Sequence, residues 1–119
     1  DRDWLHDRIN LRVNQMFESG LVDEVLELLN RDTPIGNTAR QGLGYKEIID
    51  GLGGSCAADL TESKRAEIVE LIQTRTRQFA KRQHTWYRNL EECTEVEVSE
   101  VESPGGIADR IQSLIDRHE

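Results

Sequence analysis

Apolar residues recur at helical intervals along most of this chain, in blocks separated by gaps rich in glycine and turn-forming residues. In the first block Leu5, Ile9, Val13 and Met16 follow one another at steps of four, four and three. Asp3 is placed to cap that helix, and Gly20 supplies its C′ stop. A second helix starts at once, with Asp23 and Glu24 in its first turn and Val25, Leu26, Leu28 and Leu29 behind them. The two predict a helical hairpin. Residues 31 to 41, holding Pro34, Gly36, Asn37 and Thr38, read as a loop. Gln41-Gly42-Leu43-Gly44-Tyr45-Lys46-Glu47 then leads into a short helix that Gly51, Gly53 and Gly54 terminate.

After a loop through Cys56, Thr61 can cap a long helix running to about Asn89, and so about 40 Å in length. Its inward face is expected to carry Ala66, Val69, Ile72, Thr76, Phe79, Gln83 and Trp86. Beyond it the pattern changes. Thr94, Val96 and Val98 alternate with Glu95 and Glu97, which predicts a half-exposed strand over 94–101. Ser103-Pro104-Gly105-Gly106 turns the chain, and Ile107, Ile111, Leu114 and Ile115 predict a terminal helix over 107–118. A lone strand cannot satisfy its own backbone groups, so its neighbours are expected outside this chain. The expected fold is mainly α: a helical hairpin packed on a long basic helix, with one short C-terminal β-strand and a terminal helix. We read residues 1–119 as a single domain, with the strand and last helix as a C-terminal extension.

Composition narrows the class. The 119 residues are 36% hydrophobic and 32% charged, which suits a soluble, helix-rich domain with a modest core. No apolar run approaches the roughly 18 residues of a membrane span, and nothing at the start resembles a signal peptide. A cytoplasmic location and no membrane partner are therefore expected. Cys56 and Cys93 are too few and too far apart for a zinc cluster or a redox pair, and are taken as free thiols.

A formal charge of −8 argues against a protein that binds nucleic acid over its whole surface, yet the acidity is uneven. From Arg75 to Arg88 there are five Lys or Arg and no acid, which leaves ten bases against 23 acids elsewhere. On a helix Arg77, Lys81, His84 and Arg88 share one stripe, at i, i+4, i+7 and i+11. Stacked like charges repel by a few tenths of a kcal/mol per pair. An uncompensated row beside amides and aromatics is either a phosphate-tracking surface or a solvated face that happens to be basic.

Other residues carry the same double meaning. Gly42 and Gly44 flank Leu43 and cost helix stability, about 1 kcal/mol each relative to alanine. Either backbone there must approach a partner molecule, or a helix start is packed tightly on the long helix. The segment matches neither GxxxxGK[ST] nor GxGxxG. Arg8 and Arg12, one turn apart, are either ordinary surface charges or a pair of guanidinium forks for a polyanion. Trp86, on the apolar stripe, is expected to pack rather than to stack on a base.

Three segments together resemble one family. Thr76 to Trp86 is similar to T-R-x-[aromatic/Leu]-A-K-R-Q-x-T-W, Leu5 to Val25 to L-x-x-R-I-x-x-R-x-x-x-M-x-x-x-G-L-x-x-E-V, and Thr38 to Glu47 to T-A-x-Q-x-[Ile/Leu]-G-Y-K-E. These are signatures of the tRNA dimethylallyltransferases, the tRNA isopentenyltransferases of the IPP transferase family. Arg40 stands where that family commonly has an apolar residue.

The resemblance implies the C-terminal part of a P-loop α/β enzyme that moves a dimethylallyl group from dimethylallyl diphosphate to N6 of the adenosine 3′ to the anticodon. Neither the phosphate loop nor the acceptor aspartate of that family occurs here, so no catalytic residue is expected in this chain, which should be inactive without the missing N-terminal P-loop part. Mg²⁺ is implied for the full-length enzyme, with no ligands from this chain. Arg8, Arg12 and Arg77 are implied near the diphosphate. Gln41, Gly42, Leu43, Gly44, Tyr45 and Lys46, with Lys81, Arg82, Gln83, His84, Thr85, Trp86, Tyr87 and Arg88, are implied to contact the tRNA anticodon stem-loop. The alternatives are a free-standing helical RNA-binding module, a helical domain whose basic face meets an acidic protein, or a fragment of the sibling enzymes that prenylate adenine nucleotides.

Overall fold

A computed structural model describes residues 2–53, 60–99 and 101–118. Six helices follow one another: α1 Arg2–Glu18, α2 Leu21–Leu29, α3 Asn37–Arg40, α4 Tyr45–Leu52, α5 Glu62–Arg88 and α6 Pro104–His118. The chain forms two compact units, residues 1–83 and 84–119. Gly54, expected to end α4, and Cys56 lie outside the described residues. Among the described residues no helix is long and apolar enough to cross a membrane.

In the first unit Gly20, at φ +97°, turns α1 into α2 as the sequence predicts. Val13 and Phe17 of α1 meet Leu21, Val22, Val25 and Leu26 of α2, and Ile48 and Leu52 of α4 complete that core with Ile68 and Ile72 of α5. Val25, Ile48 and Ile72 are sealed from solvent. Burying side chains of this size is worth about 1.5–3 kcal/mol each. Polar contacts fix α1 along α5. Arg65 lies 5.5 Å over the Phe17 ring and donates at 3.0 Å to the Phe17 carbonyl, one of the acceptors left over at the end of α1. Gln73 donates to the Asn10 carbonyl at 3.2 Å.

The long helix is continuous, and the Thr61 hydroxyl accepts the Lys64 N–H at 3.1 Å, as an N-cap should. Its expected inward face is corrected. Ile68 and Ile72 are buried, but Ala66 and Gln83 are exposed, as are Phe79 at 47% and Trp86 at 60%. Among the described residues the core of α1, α2 and α4 meets α5 at Ile68, Ile72 and, as expected, the partly buried Val69, and the next positions on that face are the polar Arg75 and Thr76. Heptad spacing from Ile72 to Trp86 is therefore not a core stripe. Two smaller corrections follow from caps. Asp3 sits inside the first turn of α1, and residues 37–40 of the expected loop form the single turn α3.

In the second unit Ser103 to Gly106 begins a helix instead of only turning the chain. The Ser103 hydroxyl accepts the Gly106 N–H at 3.1 Å, and Pro104 takes the first helical position, where its missing N–H costs nothing. Arg110 of α6 donates to the Glu97 carbonyl at 2.8 Å and to the Glu102 carboxylate at 2.5 Å. The Arg110 hydrogen bond, with the Ser99 N–H, holds the Glu102 carboxyl below its ordinary range. The free thiol of Cys93 is exposed.

The expected β-strand is wrong. Residues 94–99 have no regular secondary structure, and the described residues contain no strand or sheet and so none of the P-loop α/β architecture. Alternation of Val96 and Val98 with glutamates describes an extended segment with one drier side. Without a neighbouring strand its N–H and C=O groups have no ladder to join.

At Gly51, inside α4, a Cβ atom would stand 2.5 Å from Ile68 Cδ1 and 3.0 Å from Cγ1. Gly51→Val should therefore lower stability by about 1–3 kcal/mol through overpacking, despite the better helix propensity of most residues over glycine. Urea unfolding followed by helix signal measures this, with Gly53→Ala as a strain control away from the contact.

Candidate nucleic-acid interface

Between the turn that precedes α4 and the exposed middle of α5 lies a cleft lined by Gln41, Leu43, Lys46, Glu47, Arg75, Gln78, Phe79 and Arg82. The turn is shaped by its glycines. Gly42 follows α3 closely, its N–H on the Ala39 carbonyl at 3.1 Å, and Gly44 takes φ +98°, a conformation side chains oppose. Glu47, one turn into α4, reaches back to accept the Gly44 N–H at 2.7 Å, the carboxylate half of a capping box. Its other oxygen accepts Arg75 of α5 at 3.0 Å. Gln41 and Leu43 of the turn and Lys46 at the start of α4, all exposed, line the cleft opposite the face carrying Gln78, Phe79 and Arg82.

Residues expected to act together are only partly grouped. Gln41, Leu43, Lys46 and Arg82 share the cleft. Tyr45 does not line it: its hydroxyl donates to Glu24 on α2, and that hydrogen bond, with partial burial and the nearby negative charge, raises the phenol pKa above its ordinary 10.0. Gly44 is buried. Lys81, next to Arg82 but about 100° around the helix, belongs to a second groove with Arg2, His6, Thr74, Arg77 and Gln78. Arg77 is held there by Asn10 Oδ1 at 2.7 Å and Thr74 Oγ1 at 3.2 Å. Arg8 and Arg12 are exposed and lie roughly 160° from Asn10 around α1 at 100° per residue, and neither lines the groove that holds Arg77 and Lys81. Arg8 lies 5.0 Å over the Trp4 ring.

Gln83, the last residue of the first unit, is exposed. His84, Thr85, Trp86, Tyr87 and Arg88 belong to the second unit, where all five are exposed. Trp86 and Tyr87 meet edge to face, with ring centres 4.9 Å apart at 70°. Arg88 stands in the last turn of α5, where a cation also complements the helix dipole.

Sequence reasoning missed Glu47, Arg75, Gln78 and Phe79 as members of the cleft. Glu47 was findable, since a glycine followed three residues later by glutamate is a capping pattern. Phe79 was not, because helical spacing cannot say where the neighbouring helices end.

A sequence model described as IPP transferase matches residues 1–90, which include every candidate residue above. The chain belongs to the IPP transferase family. It is 43% identical over 103 residues to the tRNA dimethylallyltransferase of Acetivibrio thermocellus, covering 87% of this chain and 31% of that protein. It is 48% identical over 88 residues to the tRNA dimethylallyltransferase of Halothermothrix orenii, covering 74% and 25%. Among solved structures, a tRNA delta(2)-isopentenylpyrophosphate transferase from Staphylococcus epidermidis superposes with TM-score 0.76 at 29% identity, over 100% of this chain and 36% of that one. This IPP transferase chain thus spans about a third of the length of these relatives. The family match runs from α1 through the whole of α5 and stops before α6.

The Tyr45–Glu24 contact has a pH signature. Tyr45 has its folded pKa raised, so its contribution is complete below the unfolded value of 10.0 and is lost as pH rises from there through the folded value. The stability difference between wild type and Tyr45→Phe should be flat from about pH 8 to pH 9.5 and shrink above pH 10. Urea midpoints of the two proteins across that range check it.

Proposed function

We propose that this chain is the tRNA-contacting part of a tRNA dimethylallyltransferase. That enzyme joins N6 of the adenosine 3′ to the anticodon to C1 of a dimethylallyl group. The C–O bond to diphosphate breaks and the N6 proton is lost. The observation that carries the reading is the cleft in which Gln41 and Leu43 of the turn, with Lys46 at the start of α4, face Gln78, Phe79 and Arg82 of α5. Cations supply phosphate contacts, amides offer paired donors and acceptors to base edges, and an exposed Phe79 beside Leu43 gives an apolar wall for an unstacked base.

In this reading Lys81, Arg82 and Arg88 hold backbone phosphates along α5, and His84, Thr85, Trp86 and Tyr87 extend the same RNA-facing stretch. Gln41 and Gln83 read polar edges, while Gly42 and Gly44 let the turn backbone come close. Arg8 and Arg12 serve the diphosphate from the outer flank of α1. Arg77 acts from the other groove, so any diphosphate contact it makes is separate from theirs. Mg²⁺ assists such a leaving group when bound, but among the described residues no cluster of His, Cys, Asp or Glu fits it, and no step here runs through it. The N6 proton acceptor and the phosphate loop come from the remainder of the enzyme.

The test is a salt titration of binding to an anticodon stem-loop. Lys81→Ala, Arg82→Ala and Arg88→Ala should each weaken binding about equally across sequences, and each should reduce the slope of log K against log salt by about one unit, or somewhat less on single strands. Gln41→Ala and Gln83→Ala should weaken binding with the slope unchanged, because a neutral amide releases no counterion. Unchanged slopes in all three charge variants would show α5 to be a solvated basic face.

A further inference from the structure

Glu47 is the only buried polar side chain among the described residues, at 3% exposure, and its carboxylate divides between two elements. One oxygen takes the N–H of Gly44 in the turn, and the other takes the guanidinium of Arg75 on α5. No buried side-chain nitrogen or oxygen among the described residues lacks a partner, so the pair closes a satisfied network. Arg75 is 42% exposed in its side chain and itself lines the cleft. The two sides of the cleft come from elements separated in sequence, and this carboxylate is hydrogen-bonded to both.

We infer that Glu47 and Arg75 are positioning residues that set the turn carrying Gln41 and Leu43 at its working distance from Gln78, Phe79 and Arg82. The inference rests on the RNA reading of the cleft. Gly44 at φ +98° has no side chain to hold its own conformation, and Glu47 supplies the missing restraint from below. Arg75 plays two parts. It neutralises the buried carboxylate, and in doing so its own charge is withheld from ligand, unlike that of Arg82 nearby. A glutamine at position 47 can keep the Gly44 hydrogen bond through its oxygen, but it then turns an N–H₂ toward the guanidinium, donor against donor. The turn is then no longer tied to α5.

The experiment is a double-mutant cycle in the full chain. Affinity for an anticodon stem-loop is measured for wild type, Gln41→Ala, Glu47→Gln and the double variant, with helix content checked by circular dichroism. Gln41→Ala should cost about tenfold in wild type and little in the Glu47→Gln background, because a turn that has lost its place no longer holds Gln41 in the cleft. A merely stabilising role for Glu47 predicts equal losses in both backgrounds, and that result overturns the inference. If Glu47→Gln fails to fold, Arg75→Gln takes its place in the cycle, since the half-exposed Arg75 can be removed without opening the apolar core. Loss of coupling there supports the inference, and additivity overturns it. If Gln41→Ala has no effect in wild type while Arg82→Ala does, the positioning inference falls and the RNA reading of α5 stands. If neither matters, both fall.

Discussion

The Ile68 side chain of α5 packs so closely on α4 that a Cβ atom at Gly51 would stand 2.5 Å from its Cδ1. This contact governs the first unit. It lets Ile48 and Leu52 enter the core beside Ile68 and Ile72, and it brings the start of α4 within reach of Arg75 one or two turns further along α5. Once α4 is laid down there, the turn before it must stand at the edge of α5, and a cleft results. The apolar contact fixes the distance between the helices. The buried Glu47 carboxylate fixes the turn.

The long helix then differs along its length. Up to Arg77 it is tied to α1 by side chains of Arg65, Gln73 and Arg77 that end on backbone or amide oxygens of α1. From Arg75 to Gln83, among the described residues, it adds no residue to the core of the first unit, and it is there that acids disappear from the sequence. A helix that buries apolar residues on one face and carries cations throughout would hold its charges on the opposite side only. Here the basic stretch has accessible flanks, so Lys81 and Arg82, neighbours in sequence, serve different grooves. Under the proposed function, the acidity of the rest of the chain would disfavour RNA elsewhere and leave this stretch as the attractive surface.

Local rules were good guides wherever a single residue makes the decision. Gly20 and Gly53 take left-handed backbone, Thr61 caps α5, and Asp23 and Glu24 open α2 as read. They failed where a second element decides. Alternation at Val96 and Val98 is identical in a strand and in an extended segment with no neighbour, and only the absence of a partner among the described residues separates them. Ser103-Pro104 satisfies both a turn and a helix start, and the hydroxyl of Ser103 settles on the latter. The site was half legible. Gln41, Leu43, Lys46 and Arg82 are readable from the family signatures, but that Tyr45 turns to Glu24, and that Arg75 is spent on Glu47, depends on side chains 21 and 28 residues away.

The sequence by itself determined five of the six helices described, the cluster of positive charge and the family, because each is set by spacing or by motif within a few dozen residues. The tertiary structure alone decided which faces are covered. Ile72, Phe79 and Trp86 are equivalent in spacing and differ only in what lies opposite them: Ile72 faces the core, while Phe79 and Trp86 stay open to solvent. Burial is a property of pairs of elements and not of one helix, so periodicity locates an apolar stripe but cannot say how far along it the neighbouring helices reach.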